Sequence, residues 1–265
     1  MKPELSASLR TGLEARRARI VPRVQHMPPL GARPLVIQGR VAGWAVPRAI
    51  EAMAGLDGVE IHLESVELAP SAGLDPLLAR VAQALHDAGC ARSWRGELLD
   101  VVGEGRRLGG MERAAFRPLG LLTRAVHLNA WTPDGKLWIA RRAATKSTDP
   151  GMWDTLAGGL AAYGESLEEA LLRESHEEAG LEASQLGRRS ELRLVSRLHK
   201  HLPEGYQVED ALVCDCVLAE HDEPRNLDGE VDEFLRADVD AVWQLLQADA
   251  FTVEAEWVLL DSLLR

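Results

Sequence analysis

Residues 159–181, reading GLAAYGESLEEALLRESHEEAGL, constrain this 265-residue chain more than any other stretch. They follow directly on Gly158 and predict a short helix with both ends marked. Ser166 is a good N-cap, and Glu169 three residues on completes a capping box. Gly180 stands where a helix C-terminal glycine belongs. Leu167, Ala170 and Leu171 supply an apolar stripe at helical spacing. Glu174, Glu177 and Glu178 fall at i, i+3 and i+4 on the other face, where their like charges repel. A solvated acidic face is the ordinary reading of such a run. Three carboxylates projecting together nevertheless call for an offsetting positive charge, and a hard divalent cation with oxygen ligands is the simplest.

The bulk composition bounds the partners. With 46% apolar and 27% charged residues, the chain has the make-up of a soluble globular protein of one large or two modest domains. No run approaches the roughly 18 apolar residues of a membrane helix. The N-terminal sequence lacks an apolar signal region, so a cytoplasmic location is expected. Cys90, Cys214 and Cys216 lack zinc-site spacing. Cys214 and Cys216 alternate in an apolar run and are expected to point the same way, reduced and buried. A net charge of −11 argues against general nucleic-acid binding. It leaves an anionic phosphate substrate open, because a metal can carry the local positive charge. Arg16, Arg17 and Arg19 read as the solvated face of an N-terminal helix.

Taken in order, residues 1–25 read as a helix ending near Pro22. Residues 35–44 read as a strand pair turning near Gly39 or Gly43, 47–53 as a short helix, and 59–68 as a strand with a phase change. A helix over 74–88 and a strand over 98–102 follow, with the next section starting near Met111. Then come strands at 125–131 and 137–141, joined by the Pro133-Asp134-Gly135 turn, and a polar loop over 143–152. After the acidic helix, strands are expected at 191–199, 207–218 and from 230, and helices at 239–248 and 253–264. There are no internal repeats.

The spacing Gly159, Glu165, Arg173-Glu174, Glu177-Glu178, Gly180-Leu181 resembles the Nudix box, with Ser175 where that family has an aliphatic residue. The resemblance implies an α/β (α+β) fold: a Nudix α/β/α sandwich with a mixed sheet over 118–265, preceded by a small α+β domain over 1–117. Further motifs are Trp94-Arg95 with Glu97, Met111 to Ala114, Val126 to Asn129, Arg141-Arg142 with Lys146 and Pro150 to Met152, and Asp228 to Val231. Together they resemble a two-domain subfamily related to the Nudix domain joined to fungal thiamine pyrophosphokinase. That subfamily is linked to hydrolysis of thiamine diphosphate and its oxidised, damaged forms to the monophosphate.

By this pattern Glu174, Glu177 and Glu178 hold Mg²⁺ or Mn²⁺, with the Gly159 carbonyl as an extra ligand. Glu177 or Glu178 orients water, and Arg173 pairs with Glu165. Glu230 and Glu233 are the further catalytic carboxylates expected, with Glu209 third. Arg141, Arg142 and Lys146 are expected to hold a small-molecule diphosphate; each also reads as ordinary surface. Trp44, Trp94 and Trp153 are stacking candidates, each of which reads more readily as core. His127, His199 and His201 read better as structural than as ligands, the last two in a loop, and His176 lies on another helix face.

Three competing readings exist. The loop KSTDPGMWD resembles isopentenyl diphosphate isomerase, but Gly158 and Leu160 stand at that enzyme's cysteine and histidine positions. A ligand sensor on the same scaffold would lack carboxylates that this chain keeps. A nucleoside diphosphate derivative such as ADP-ribose, a nucleotide sugar or a dinucleotide is equally compatible with the box. The N-terminal part is expected either to complete the pocket or to bury a homodimer surface.

Overall fold

The computed structural model describes residues 4–70 and 73–265; residues 1–3, the start of the expected first helix, lie outside them. Helix α1 (Ala7–Val24) starts at Ser6, whose hydroxyl accepts from the Leu9 N–H. It runs on past Pro22 for two residues, because a proline so near the end removes little of the ladder. Strands β1 (Arg33–Ile37) and β2 (Arg40–Ala45) form a hairpin. Its turn is Gln38-Gly39, both at positive φ (51° and 72°), as a two-residue hairpin loop demands. Helix α2 (Pro47–Met53) follows. The expected strand over 59–68 is two, β3 (Val59–Ile61) and β4 (Val66–Leu68), paired antiparallel, so the phase change is a turn. Helix α3 (Leu74–Asp87) shares a buried core with this sheet, whose order is β2-β1-β4-β3. Strand β5 (Leu98–Gly103) pairs with β6 (Arg106–Glu112), which the sequence pattern does not announce. The short helix α4 (Phe116–Leu119) ends at Gly120 in the left-handed region.

Strands β7 (Leu122–Trp131), β8 (Leu137–Arg142), β9 (Trp153–Asp154) and β10 (Ala157–Leu160) lead into helix α5 (Leu167–Ala179). Strands β11 (Arg193–Leu202), β12 (Gly205–Val217) and β13 (Val231–Ala237), then helices α6 (Val239–Gln247) and α7 (Val253–Leu264), complete the chain. The sheet is mixed, in the order β11-β12-β7-β8-β13, with β7 and β12 parallel. β7 pairs with β8 only at Ala130 and Trp131, then parts from it. Strand β10 lines the freed half of β7, setting Gly158 opposite His127 and Gly159 opposite Val126. The split in the sheet thus carries the glycine pair to the base of α5.

Alternation assigns the two faces of this sheet. Val126, Leu128, Ala130, Cys214 and Cys216 pack with Ala170 and Leu171 of α5. Both cysteines are buried and unpaired, and point the same way. Trp131, Ala211 and Val213 face the other way, against α6 and α7. Two helical layers therefore enclose the sheet. Residues 35–121 have a separate core built on Leu35, Ile37, Leu78 and Phe116. Among the described residues no helix is long and apolar enough to cross a membrane.

Helix α1 lies before residue 118 in sequence but packs Leu13, Ile20 and Val24 into the sheet's core beside α7. This corrects the expectation that Arg16, Arg17 and Arg19 form one solvated face. Arg16 is buried and pairs with Glu256 of α7 and with Asp249, while Arg17 lies over the Trp257 ring at 5.5 Å. Glu256 is itself 1% exposed. Leaving such a charge alone costs about 3–5 kcal/mol. Arg16→Ala should lower the unfolding free energy in urea by about that amount, and Arg16→Met with Glu256→Leu should restore most of it. An unchanged urea midpoint for Arg16→Ala would show that the pair does not anchor α1.

Candidate active site

Helix α5 is fixed at both ends as its sequence predicts. The Glu169 N–H donates to the Ser166 hydroxyl at 3.2 Å, and the Ser166 N–H to the Glu169 carboxylate at 2.9 Å. Gly180 closes the helix at φ 63°. Ser175, the departure from the family pattern, is buried and donates to the Leu171 carbonyl at 2.6 Å, which satisfies its hydroxyl inside the helix.

Two cations answer the repulsion among the carboxylates. Arg173 grips Glu165 with two bonds of 2.8 and 2.9 Å. It also donates to the Leu160 carbonyl at 3.1 Å, to Glu174 at 2.7 Å and to Glu177 at 3.1 Å. One guanidinium therefore ties the box loop, strand β10 and two turns of α5 together. Lys146 answers the rest: its ammonium reaches Glu178 at 3.2 Å and also contacts Glu230.

Glu178 is 6% exposed and accepts from the Gly158 N–H at 2.9 Å. Burial pushes its carboxyl up to about 8, against the pull of Lys146 and the Gly158 amide. Glu174 is raised for the same reason, countered by Arg173. Its carboxylate lies against the Gly159 Cα, so a Cβ at 159 would collide with it. Glu230 moves down: burial raises it, but the bond and charge of Lys146, with the charges of Arg95 and Arg142, outweigh burial. Carboxylate oxygens of Glu178, Glu230 and Asp228 lie within 4.8 Å of one another. Asp228 went unread as a candidate ligand, although the Asp228-Gly229-Glu230 run was the signal. An oxygen-only donor set at this spacing suits a hard divalent cation.

The other candidates are engaged in contacts of their own. Glu233 pairs with Arg141 at 3.4 Å, both half-exposed, and Arg141 also donates to the Gly151 carbonyl at 3.2 Å. Arg142 is held by two bonds to the Thr148 carbonyl and one to Asp154 at 3.1 Å. Both arginines brace the 148–151 loop. His199 and His201 are on β11, not in a loop; His199 stacks on Tyr206, and the His201 ring meets the Met27 carbonyl. His127 is buried, bonded to Thr155 at 3.2 Å, and burial lowers it, so it is neutral. Glu209 is buried and accepts from the Thr123 hydroxyl at 2.9 Å. Of the tryptophans, Trp153 packs against the core and Trp94, half-exposed, leans on His86.

The N-terminal unit holds the box loop in place. Asp100 of β5 accepts from the Gly164 N–H at 3.0 Å and from Arg124 at 2.8 Å. The Tyr163 N–H donates to the Leu98 carbonyl at 2.8 Å, and its ring packs on Gly110, where a Cβ would stand 2.9 Å from it. A cleft of about 800 Å³ is lined from both sides of residue 118, by Arg48, Arg92, Arg95 and Arg113 on one and by Thr123, Ser147, Leu160 and Glu209 on the other.

The NUDIX domain profile matches residues 121–262, more than half of the chain. The chain belongs to the Nudix family. It is 33% identical over 195 residues to Nudix hydrolase 20, chloroplastic, of Arabidopsis thaliana, covering 71% of this chain and 52% of that protein. It is 34% identical over 160 residues to Nudix hydrolase 24, chloroplastic, of the same plant, covering 58% of this chain and 43% of that one. The chain thus spans about half the length of these curated relatives. A crystal structure of a Deinococcus radiodurans protein is 24% identical with a TM-score of 0.48, covering 64% of this chain and all of that one.

The carboxyls of this Nudix box make stability depend on pH. Between the ordinary value of 4.5 and about 8, folded Glu178 keeps a proton that the unfolded chain has released. Stability therefore falls as pH rises through that window, and Glu174 adds in the same direction. In chelator, melting temperature should fall across this range, and Glu178→Gln should flatten the slope. An equal slope in the variant would remove Glu178 as its source.

Proposed function

We propose that this chain is a metal-dependent diphosphatase acting on a small molecule. The carrying observation is the convergence of Glu174, Glu178, Glu230 and Asp228 beside the Gly158-Gly159 backbone; Ser147 and Leu160, which follow Lys146 and Gly159 in the chain, line a cleft large enough for an organic diphosphate. A divalent cation, Mg²⁺ or Mn²⁺, held by Glu174, Glu177, Glu178 and the Gly159 carbonyl with Glu230 or Asp228, would neutralise phosphoryl charge and lower the pKa of the attacking water. The chain's own groups do the positioning. Arg173 fixes the carboxylates of Glu174 and Glu177 relative to the box loop. Glu177 is the most exposed of the three helix carboxylates, 45% against 14% and 8%, so water reaches it most readily. We assign it the role of orienting that water. Lys146 offers a point charge beside the phosphoryl oxygens. We divide the chain into an N-terminal α+β domain and a Nudix domain near residue 118, with α1 docked on the latter.

For the substrate we infer thiamine diphosphate or its oxidised, damaged analogues, cleaved to the monophosphate and phosphate. The support is the set of outer motifs around Trp94-Arg95, Met111 to Ala114 and Asp228 to Val231. A second reading, a nucleoside diphosphate derivative, is favoured by the volume of the cleft, which admits a nucleoside equally well. Gly158 and Leu160, at the isomerase's cysteine and histidine positions, speak against proton-transfer chemistry.

Removing one carboxylate from such a constellation costs orders of magnitude in rate. Glu177→Gln should lose about 10²-fold or more in turnover with an unchanged melting curve. Near wild-type activity would refute the assignment. A panel of diphosphates with Mg²⁺ and phosphate detection should favour oxidised thiamine diphosphates over ADP-ribose and nucleotide sugars. The opposite ranking selects the second reading.

A further inference from the structure

A chain of net charge −11 gathers five arginines, Arg48, Arg92, Arg95, Arg113 and Arg117, along the cleft between its two units. All five come from the N-terminal side of residue 118. Arg113 and Arg117 are neutralised by Glu97 and Glu204. The other three bond to neutral acceptors. Arg48 donates to the Ala88 carbonyl at 3.3 Å, Arg92 to the Gly89 carbonyl at 3.1 Å, and Arg95 to the Ser147 hydroxyl at 3.1 Å. Each guanidinium carries five N–H donors, so most of its capacity stays open to an anion. These contacts hold the side chains in the cleft without cancelling their charge.

Arg95 also joins this wall to the carboxylate cluster. Its partner Ser147 follows Lys146, whose ammonium bridges Glu178 and Glu230. The alternative grips are engaged: Arg142 by Thr148 and Asp154, Arg141 by Gly151 and Glu233. A diphosphate ester carries more negative charge than one divalent cation offsets, and guanidinium forks match phosphate oxygens.

We propose that Arg92 and Arg95, with Arg48 of the same cleft, are the phosphate grip of this protein: the N-terminal unit binds the part of the substrate's diphosphate that the metal cluster does not. This rests on the diphosphatase reading and deepens it, giving the N-terminal unit a direct role in substrate binding. The grip is positional and leaves the chemistry to the carboxylates.

The test is calorimetric titration of the full chain with methylenediphosphonate, a diphosphate that cannot be hydrolysed, in the presence of Mg²⁺. Arg92→Gln and Arg95→Gln should each weaken binding by about 10-fold, the size of one charge-assisted contact. Arg95→Lys should recover part of the loss, since it keeps the charge but not the fork. Arg141→Ala should bind as wild type does, and all variants should share the wild-type circular dichroism. In turnover assays the glutamine variants should raise KM and leave kcat nearly unchanged. Wild-type affinity in the folded Arg92→Gln/Arg95→Gln double variant overturns the grip, as does an equal loss in Arg141→Ala or no binding by the wild type. Arginine-dependent binding without cleavage of any diphosphate instead overturns the hydrolase and leaves the anion site standing.

Discussion

Glu178 carries a carboxylate into a place that water barely reaches, and much of the surrounding structure answers that one cost. A buried charge is tolerated when it is paired and hydrogen-bonded, or when it gives up its ionisation. Glu178 does some of each: the Gly158 amide and the Lys146 ammonium face it, and burial still raises its carboxyl to about 8. The glycine pair follows from the same demand, since Glu174 lies directly on Gly159 and any side chain there would displace it. Arg173 completes the arrangement by holding Glu165, Glu174 and Glu177 from one planar group. Lysine would lack the planar fork that grips both Glu165 oxygens while further N–H groups reach Leu160, Glu174 and Glu177.

That arrangement depends on the box loop being rigid, and the rigidity comes from outside the Nudix sheet. Asp100 holds the Gly164 amide, the Leu98 carbonyl holds the Tyr163 amide, and the Tyr163 ring lies on Gly110. The β5–β6 hairpin therefore acts as a splint for residues 161–165. From there the constraint passes through Glu165 to Arg173, and so to the carboxylates. An N-terminal unit that only covered an apolar surface would not need an aspartate buried at this contact, yet Asp100 is 6% exposed and shared between Gly164 and Arg124.

How much of this the chain disclosed in advance depends on how local each determinant is. The caps of α5 are contained in fifteen consecutive residues, 166–180, and were legible to the residue. The Arg173–Glu165 pair spans eight positions and follows the family spacing. Strand β6 was not legible, because Arg106-Arg107-Leu108-Gly109-Gly110 has no alternation. Its strand state is set by the Glu104-Gly105 turn at positive φ and by the close approach of Tyr163 and α3 to its glycines. Arg16 looked like surface because its partners, Asp249 and Glu256, lie more than 230 residues away. Arg141 and Arg142 looked like free cations because the carbonyls of Gly151 and Thr148, which engage them, leave no mark in a sequence. Composition is silent for a related reason: a net charge of −11 says nothing about where thirty cationic side chains gather.

The distribution of charge across the cleft then has a consistent physical sense. A metal–diphosphate complex is itself polar, with a dense cation at one end and excess negative charge at the other. A uniformly basic pocket would repel the cation, and a uniformly acidic one would repel the phosphates. Here the carboxylates of Glu178, Asp228 and Glu230 cluster at Lys146, and the guanidiniums of Arg48, Arg92 and Arg95 line the cleft that the next residue, Ser147, also lines. Lys146 and Arg95 meet at the boundary through adjacent residues of one loop. A change that loosened the β5–β6 splint would then move the guanidiniums relative to the carboxylates. On the proposed reading, it would weaken diphosphate binding without touching a residue assigned to either the metal or the phosphate.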